Sequence, residues 1–348
     1  MCGSCKKCLM PGDVVDMTQD GCNYCQSNID VTKSPGQMLS NDNLTMSLEK
    51  VREVVAKNTS KYDCLVGITG GRDSGFLLDY VKNHLGLVPL AVYYDTGFVT
   101  DEAKFNMDRA TSVQGVDFVT YKLNETFNKK ITRGFFMNYG EFCSPCHQGH
   151  AYIVAMAAKM FNIPIYLRGI ASKYDYNYID SNYSGYYAKT EEEFNKKIAS
   201  FAKEQNITKE DLRRNEDFLH IDAWRPKFLT VDLPDFYDVD SDYHTVNKKL
   251  KDLYDWKNPK GQFFHADCKI NPILEYMKYR KHGYCGKNVQ VSNLLKFGEI
   301  TLQEGKELLV SEEVKALPPS TLDFMKYLDI DIETMNGVVE KFWTKKSA

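Results

Sequence analysis

Two kinds of residue in this chain are spaced for chemistry: a glycine turn set between an apolar strand and a helix, and cysteines in close pairs. The turn is Thr69-Gly70-Gly71-Arg72-Asp73-Ser74, preceded by the run Cys64-Leu65-Val66-Gly67-Ile68. Adjacent glycines let the backbone approach a ligand without a Cβ in the way. Successive amides leading into a helix N-terminus form an anion site. The spacing matches neither the Gly-rich loop that ends in Lys-Ser/Thr nor the three-glycine dinucleotide turn. A plain strand–turn–helix with Asp73 as a cap is the alternative.

The cysteines begin with Cys5-x-x-Cys8 and Cys22-x-x-Cys25. Each pair can put two thiolates on one tetrahedral ion, and four thiolates close a structural zinc site. Pro11-Gly12 and Asp20-Gly21 lie between the pairs as turn formers, so residues 1–30 suit a short ribbon that folds on its metal. Cys2 stands three residues before Cys5 and leaves a Cys2/Cys5 register open, but Cys5 with Cys8 gives two equal knuckles. Free or redox-active thiols are the alternative. A third pair, Cys143-Ser144-Pro145-Cys146, opens a helix. A helix start favours thiolate, which predicts lowered thiol pKa values there. Buried cysteines, or a second structural knuckle, would have the same spacing.

The elements that must hold these groups follow from periodicity. Apolar positions from Leu44 to Val55 predict an amphipathic helix over 44–56. Strands are expected at Cys64–Ile68, Val88–Tyr94, Asp117–Tyr121 and Ile163–Leu167. Helices are expected at Gly75–His84, Glu102–Val113, Asn124–Met137 and Gln148–Phe161. Short apolar strands alternating with helices imply an α/β fold with a parallel sheet covered on both faces. Ligands of such sheets sit at the carboxyl ends of the strands, where the glycine turn falls. Residues 27–43 read as a linker. Residues 175–260 carry no motif and are expected to bind the acceptor.

The chain has 348 residues, ten cysteines and a net charge of −3. No basic excess announces a nucleic-acid partner, although a sum hides local patches and leaves RNA open. No apolar run reaches the length of a membrane span, and the start is no signal peptide. Paired cysteines without such a signal point to metal in a reducing, cytoplasmic compartment rather than to disulfides.

The turn resembles the Ser-Gly-Gly-x-Asp-Ser pyrophosphate loop of the PP-loop ATP pyrophosphatases, with Thr69 keeping the hydroxyl of the first serine. The resemblance implies a parallel-sheet PP-loop (HUP-like) domain over residues 44–175, after an N-terminal zinc ribbon and before an acceptor-binding, helical C-terminal region over 176–348. It implies cleavage of ATP to AMP and pyrophosphate with Mg²⁺, and adenylation of an acceptor oxygen. Thr69, Gly70, Gly71, Arg72, Asp73 and Ser74 would bind ATP, with Asp73 and Ser74 catalytic. Asp95-Thr96-Gly97 after the second strand would take the ribose, as similar turns in adenylyl-sulfate reductases suggest, or Asp95 would cap the next helix. Gly169 would close the adenylate side, and Lys173 would balance phosphate charge or be a surface lysine.

Two functional branches follow. In tRNA-thiolating PP-loop enzymes a CxxC like Cys143/Cys146, with one distant cysteine, holds an iron–sulfur cluster, [4Fe-4S]. Cys268 is the best third thiol here and Cys285 the next. The C-terminal third is similar to the tail of the bacterial N-acetyl sugar amidotransferases of lipopolysaccharide and nonulosonic-acid biosynthesis. The residues that carry this are Tyr276 to Tyr284, Asn288 to Leu295, Phe297-Gly298-Glu299-Ile300-Thr301, Glu304-Gly305-Lys306-Glu307-Leu308 and Phe342-Trp343. That resemblance implies conversion of an acetamido sugar to an acetamidino sugar, with ammonia from a separate glutaminase and its channel protein; a homodimer is compatible with it. Ammonia needs no protein thiol, so Cys143 and Cys146 keep sulfur transfer to a nucleotide, tRNA or small molecule as the alternative.

Overall fold

The computed structural model describes residues 3–27, 41–170, 186–234, 242–258, 265–310, 314 and 316–344. Cys2, Lys173 and most of the expected linker lie outside the described residues. Near the N-terminus, β1 (Met17–Thr18) and β2 (Gly21–Cys22) form a small antiparallel hairpin, followed by the one-turn helix α1 (Asn23–Gln26). Helix α2 (Asn41–Val55) then leads into the sheet.

The sheet has five parallel strands in the order β5-β4-β3-β6-β7. They are β3 (Cys64–Gly67), β4 (Pro89–Tyr94), β5 (Phe118–Tyr121), β6 (Ile165–Ile170) and β7 (Leu229–Pro234). Between them run α3 (Arg72–Asp79), continued by a π-helical turn over Tyr80–His84, then α4 (Asp101–Gln114), α5 (Glu125–Tyr139) and α6 (Ser144–Phe161). Strand alternation divides the core. Cys64, Val66, Ala91 and Tyr93 pack on one side with Phe76, Met107 and Leu250. Leu65, Leu90, Val92 and Tyr94 pack on the other with Phe127, Phe135 and Ile153. Both faces are therefore covered, as a parallel sheet requires.

Three differences from the expected elements have local causes. The fourth strand begins at Ile165 rather than Ile163, because Asn162 caps α6 in the left-handed region and the Ile163 amide still closes that helix on Ala158. Helix α6 begins at Ser144, with Pro145 in the first turn, where its missing N–H costs nothing. Helix α3 begins at Arg72 directly on the glycine turn, so the turn is shorter than the expected start at Gly75 implies.

The fifth strand, β7, lies beyond residue 175 and pairs with β6 from Ile165↔Leu229 to Ile170↔Pro234, so the sheet continues past the expected domain boundary. Before it come α7 (Glu191–Phe201), α8 (Lys209–Arg214), α9 (Glu216–Leu219) and α10 (Ile221–Trp224). After it, α11 (Tyr243–Tyr254) packs on α3 and α4. The C-terminal region is helical: α12 (Asn271–His282), α13 (Gly286–Lys296), α14 (Leu302–Val310), α15 (Ser320–Leu328) and α16 (Ile332–Trp343). Helices α12, α15 and α16 share a core with Phe136 of α5 and with Phe142. Among the described residues, no helix is long and apolar enough to cross a membrane.

Candidate functional site

The strand order reverses direction at β3, whose neighbours are β4 and β6. Crevices at such switch points hold the ligands of open α/β sheets. The glycine turn leaves β3 there. Its shape is set by two hydroxyls. Ser74 Oγ accepts from the Thr69 amide at 3.1 Å and donates to the Gly71 carbonyl at 3.0 Å, while Thr69 Oγ1 accepts from the Gly71 amide at 3.3 Å. Gly70 has φ +79°, and its carbonyl accepts from Asn106 Nδ2 at 3.1 Å. Gly71 is the N-cap of α3 and no side chain caps that helix, which leaves its positive end to the crevice.

A cavity of about 400 Å³ opens over the turn, lined by Thr69, Gly71, Arg72, Asp73 and Ser74 on one side and by Tyr166 to Gly169 on the other. His265, Ala266, Asp267 and Gln290 close it from the C-terminal third. Arg72 Nε donates to Asp73 Oδ1 at 2.9 Å, and the guanidinium lies 4.9 Å from the centre of the Tyr243 ring. Asp95 and Gly97 do not line this cavity; Asp95 Oδ1 accepts from the Gly97 amide at 2.8 Å, within their own turn. The α4 cap is Thr100, whose Oγ1 accepts from the Ala103 amide at 3.2 Å.

Cys143, Cys146 and Cys268 line one smaller cavity of about 100 Å³ with Thr69, Thr96, Tyr94, His150 and Asp267. Thr69 and Asp267 belong to both cavities, so the thiols adjoin the glycine turn. The segment carrying Cys268 is stitched to the loop after β4. The Lys269 amide donates to Phe98 O at 2.7 Å, and Thr100 Oγ1 to Ala266 O at 2.9 Å. Cys285 is elsewhere: it caps α13, with its Sγ 3.3 Å from Asn288 Oδ1.

The expected lowering of the thiol pKa values is reversed. Burial pushes Cys143 and Cys146 up, and Cys268 up to about 12; Glu141 and the other two thiols add to it at Cys143, Cys268 and Asp267 at Cys146, and Asp267 at Cys268. The helix dipole does not compensate, because Glu141 already occupies the start of α6. Its Oε2 accepts from the amides of Cys143 and Ser144 at 2.8 and 3.0 Å, and its Oε1 accepts from Ser144 Oγ. This carboxylate is 0% exposed; burial raises its own pKa, and its charge raises that of Cys143. Burial thus favours the protonated form of all three, and any metal they take must displace those protons.

The four N-terminal cysteines converge. Cys5, Cys8, Cys22 and Cys25 have sulfurs all within 4.8 Å of one another, with Cys5–Cys25 at 3.9 Å, Cys8–Cys22 at 3.5 Å and Cys22–Cys25 at 3.7 Å. A tetrahedron with Zn–S bonds of about 2.3 Å has edges of roughly 3.8 Å, so the set fits one tetrahedral ion. The Cys22 amide donates to Cys25 Sγ at 3.2 Å, and Gly21 (φ +137°) leaves room where a Cβ would stand 2.6 Å from that sulfur. No second group of three or more Cys, His, Asp or Glu ligand atoms is that tight among the described residues. Cys143, Cys146 and Cys268 therefore do not converge on a single ion. An iron–sulfur cluster, with each thiolate on its own iron, accepts wider spacing.

The ribbon docks on α13. Tyr24 OH donates to Asn293 Oδ1 at 2.9 Å, Ser292 Oγ to Cys8 O at 2.7 Å, and Lys296 Nζ to Ser27 O at 2.6 Å. Tyr284 and Val289 share its small core. Gln290, on the same helix, reaches the cavity over the glycine turn. Sequence reasoning missed Glu141, His150, Asp267 and Gln290. Glu141, His150 and Asp267 stand within four residues of Cys143, Cys146 or Cys268, and Gln290 lies in the stretch Asn288 to Leu295 already singled out, which were the available signals.

No protein-family model matches this chain, and no curated protein matches it. Among solved structures, the NMN synthetase of Francisella tularensis is similar over 62% of this chain and 94% of its own, at 9% identity and a TM-score of 0.25. The U34-tRNA thiolase NcsA of Methanococcus maripaludis, solved with its [4Fe-4S] cluster, is similar over 82% of this chain and 86% of its own, at 13% identity and a TM-score of 0.30. At that distance these are likenesses only.

Proposed function

We propose that this chain cleaves ATP to AMP and pyrophosphate to activate the carbonyl oxygen of an acetamido sugar, which ammonia then converts to an acetamidino group. The carrying observation is the uncapped start of α3 on a glycine turn, opening into a 400 Å³ cavity at the sheet's switch point. The turn orients the polyphosphate, and the helix end offsets its charge. Asp73 and Asp267 bring carboxylate oxygens to the same cavity, the donors that magnesium takes, and the ion would neutralise phosphate charge. The acceptor oxygen attacks the α-phosphorus and pyrophosphate leaves. Ammonia adds at the activated carbon, AMP departs with the oxygen, and the amidine loses a proton to the medium. Support for the sugar branch is that ribbon, turn and tail, the three regions of resemblance, are packed together through α13. A separate glutaminase would supply the ammonia.

A second reading, sulfur transfer, has its own support in the three thiols around one cavity beside Thr69. Protein prepared without oxygen separates the two. Ammonium salts in excess, ATP and acetamido sugars should yield amidino product and pyrophosphate, and Cys143→Ser should keep that activity. A brown, iron- and sulfide-bearing protein that loses its colour on Cys143→Ser, Cys146→Ser or Cys268→Ser, without amidino product from any sugar, overturns amidotransfer in favour of thiolation.

A further inference from the structure

On the α6 face of the sheet a third cavity of about 570 Å³ lies between α6, β6 and the start of α7. We propose that it is the acceptor site and that it takes an uncharged, polyhydroxylated ring rather than a nucleic-acid backbone. The inference rests on the adenylation reading for its role and on the cavity for its chemistry.

Size comes first. This volume falls in the range of small-molecule sites, whereas the thiol cavity, at about 100 Å³, has room for only a few water-sized molecules. Position comes second. Tyr166 and Arg168 line both this cavity and the one over the glycine turn, and His150 lines both this cavity and the thiol cavity. A molecule here borders the nucleotide and the small space from which a nucleophile would come.

Charge decides the ligand class. Arg168 is held by Asp232 through two bonds of 2.6 and 2.9 Å, and Arg225 pairs with Asp222 at 2.9 Å. The start of α7 carries Glu191, Glu192 and Glu193. A nucleic-acid backbone is gripped by cations available to its phosphates; here each guanidinium already has its carboxylate, and the Lys189 ammonium, also in the lining, is set against the charge of Glu193. Paired planar groups offer donors and acceptors at fixed spacing to hydroxyls. Phe194 and Phe228 give apolar walls, and the His147 ring lies stacked on Tyr187 at 4.0 Å. Flat apolar faces with polar edges match a sugar ring.

The test uses the full-length protein and saturation-transfer NMR with N-acetylglucosamine as probe, beside calorimetry with a non-hydrolysable ATP analogue and a short single-stranded RNA. Ala151→Trp fills the cavity from an exposed position on α6 that does not line the other two. The expected result is saturation of the sugar ring protons, at least a fivefold loss of it in Ala151→Trp, and analogue affinity within twofold of wild type. Analogue binding without sugar saturation overturns the site and leaves the adenylation reading intact. So does sugar saturation unchanged in Ala151→Trp, or RNA binding that Ala151→Trp abolishes. Sugar saturation lost in Ala151→Trp, with no analogue binding by wild type, supports the site and refutes adenylation.

Discussion

Gly70 and Gly97 make a matched pair that tests how the glycine turn after β3 is held. Both have positive φ, +79° and +84°. A Cβ on Gly97 meets nothing within 4 Å, whereas one on Gly70 would stand 2.2 Å from the Ala103 carbonyl oxygen and 2.7 Å from its Cα. Gly97→Ala therefore costs only the left-handed strain, about 1–2 kcal/mol, offset by about 0.4–1 kcal/mol from a stiffer unfolded chain. The net loss is roughly 0–1.5 kcal/mol. Gly70→Ala bears the same terms plus overpacking of about 1–3 kcal/mol, because its neighbour is helix backbone that cannot rotate away. The first turn of α4, or the glycine turn, must move by about 1 Å, the gap between 2.2 Å and ordinary contact. A shift of that size in a positioned site costs on the order of 100-fold in activity. Urea denaturation of both variants, with their rates of pyrophosphate release from ATP, measures the two quantities. Equal stability in the two variants, with pyrophosphate release within twofold of wild type in Gly70→Ala, would refute the argument.

Three further outcomes are expected. Asp73→Asn should keep the wild-type circular-dichroism spectrum and lose at least 100-fold in pyrophosphate release; release at the wild-type rate removes Asp73 from the chemistry. Cys22→Ser should lose about one zinc per chain by elemental analysis and lower the melting temperature, since structural metal binding is folding energy; unchanged metal content would place the metal elsewhere. Burial opposes ionisation of Asp79, but Lys249 at 2.5 Å and the amides of Asn83 and Gln114 outweigh it and hold its carboxyl below the ordinary value. The folded pKa is thus depressed, so this contribution is present above about pH 4 and lost as pH falls below it. Asp79→Asn should therefore flatten the acid side of the stability profile in urea melts taken from pH 7 to pH 3, and an unchanged profile would contradict the assignment.

What could be read in advance was local. Runs such as Leu65-Val66 and Leu90-Ala91-Val92 have enough apolar character to declare buried strands, and two equal CxxC spacings declare a ribbon. The strand Leu229–Pro234 did alternate, with Val231 and Leu233 buried, but Pro226 stands just before it and it ends on Pro234, and two prolines so close read as interruptions rather than as the limits of a strand. The sequence ranks Cys268 ahead of Cys285 as the third thiol, but only the fold shows that Cys268 lines the cavity of Cys143 and Cys146 while Cys285 caps α13. The thiol pKa values went the wrong way for a similar reason. A helix start is visible in a sequence, but a buried Glu141 already bound to it is not.

The docking of residues 5–27 onto residues 284–296 has a consequence for the order of assembly. The cysteine knuckles are local and can gather an ion as soon as they are made. The hydrophobic seat they need, Tyr284 and Val289, is synthesised more than 250 residues later. At ribosomal speeds of about 5–20 residues per second, that is a wait of tens of seconds. During this interval the glycine turn also lacks the walls supplied by His265 to Asp267 and by Gln290. Helix α13 closes the ribbon's seat and the cavity over the glycine turn in the same event, so a chain that has yet to place it is expected to have neither the seated ribbon nor the closed cavity.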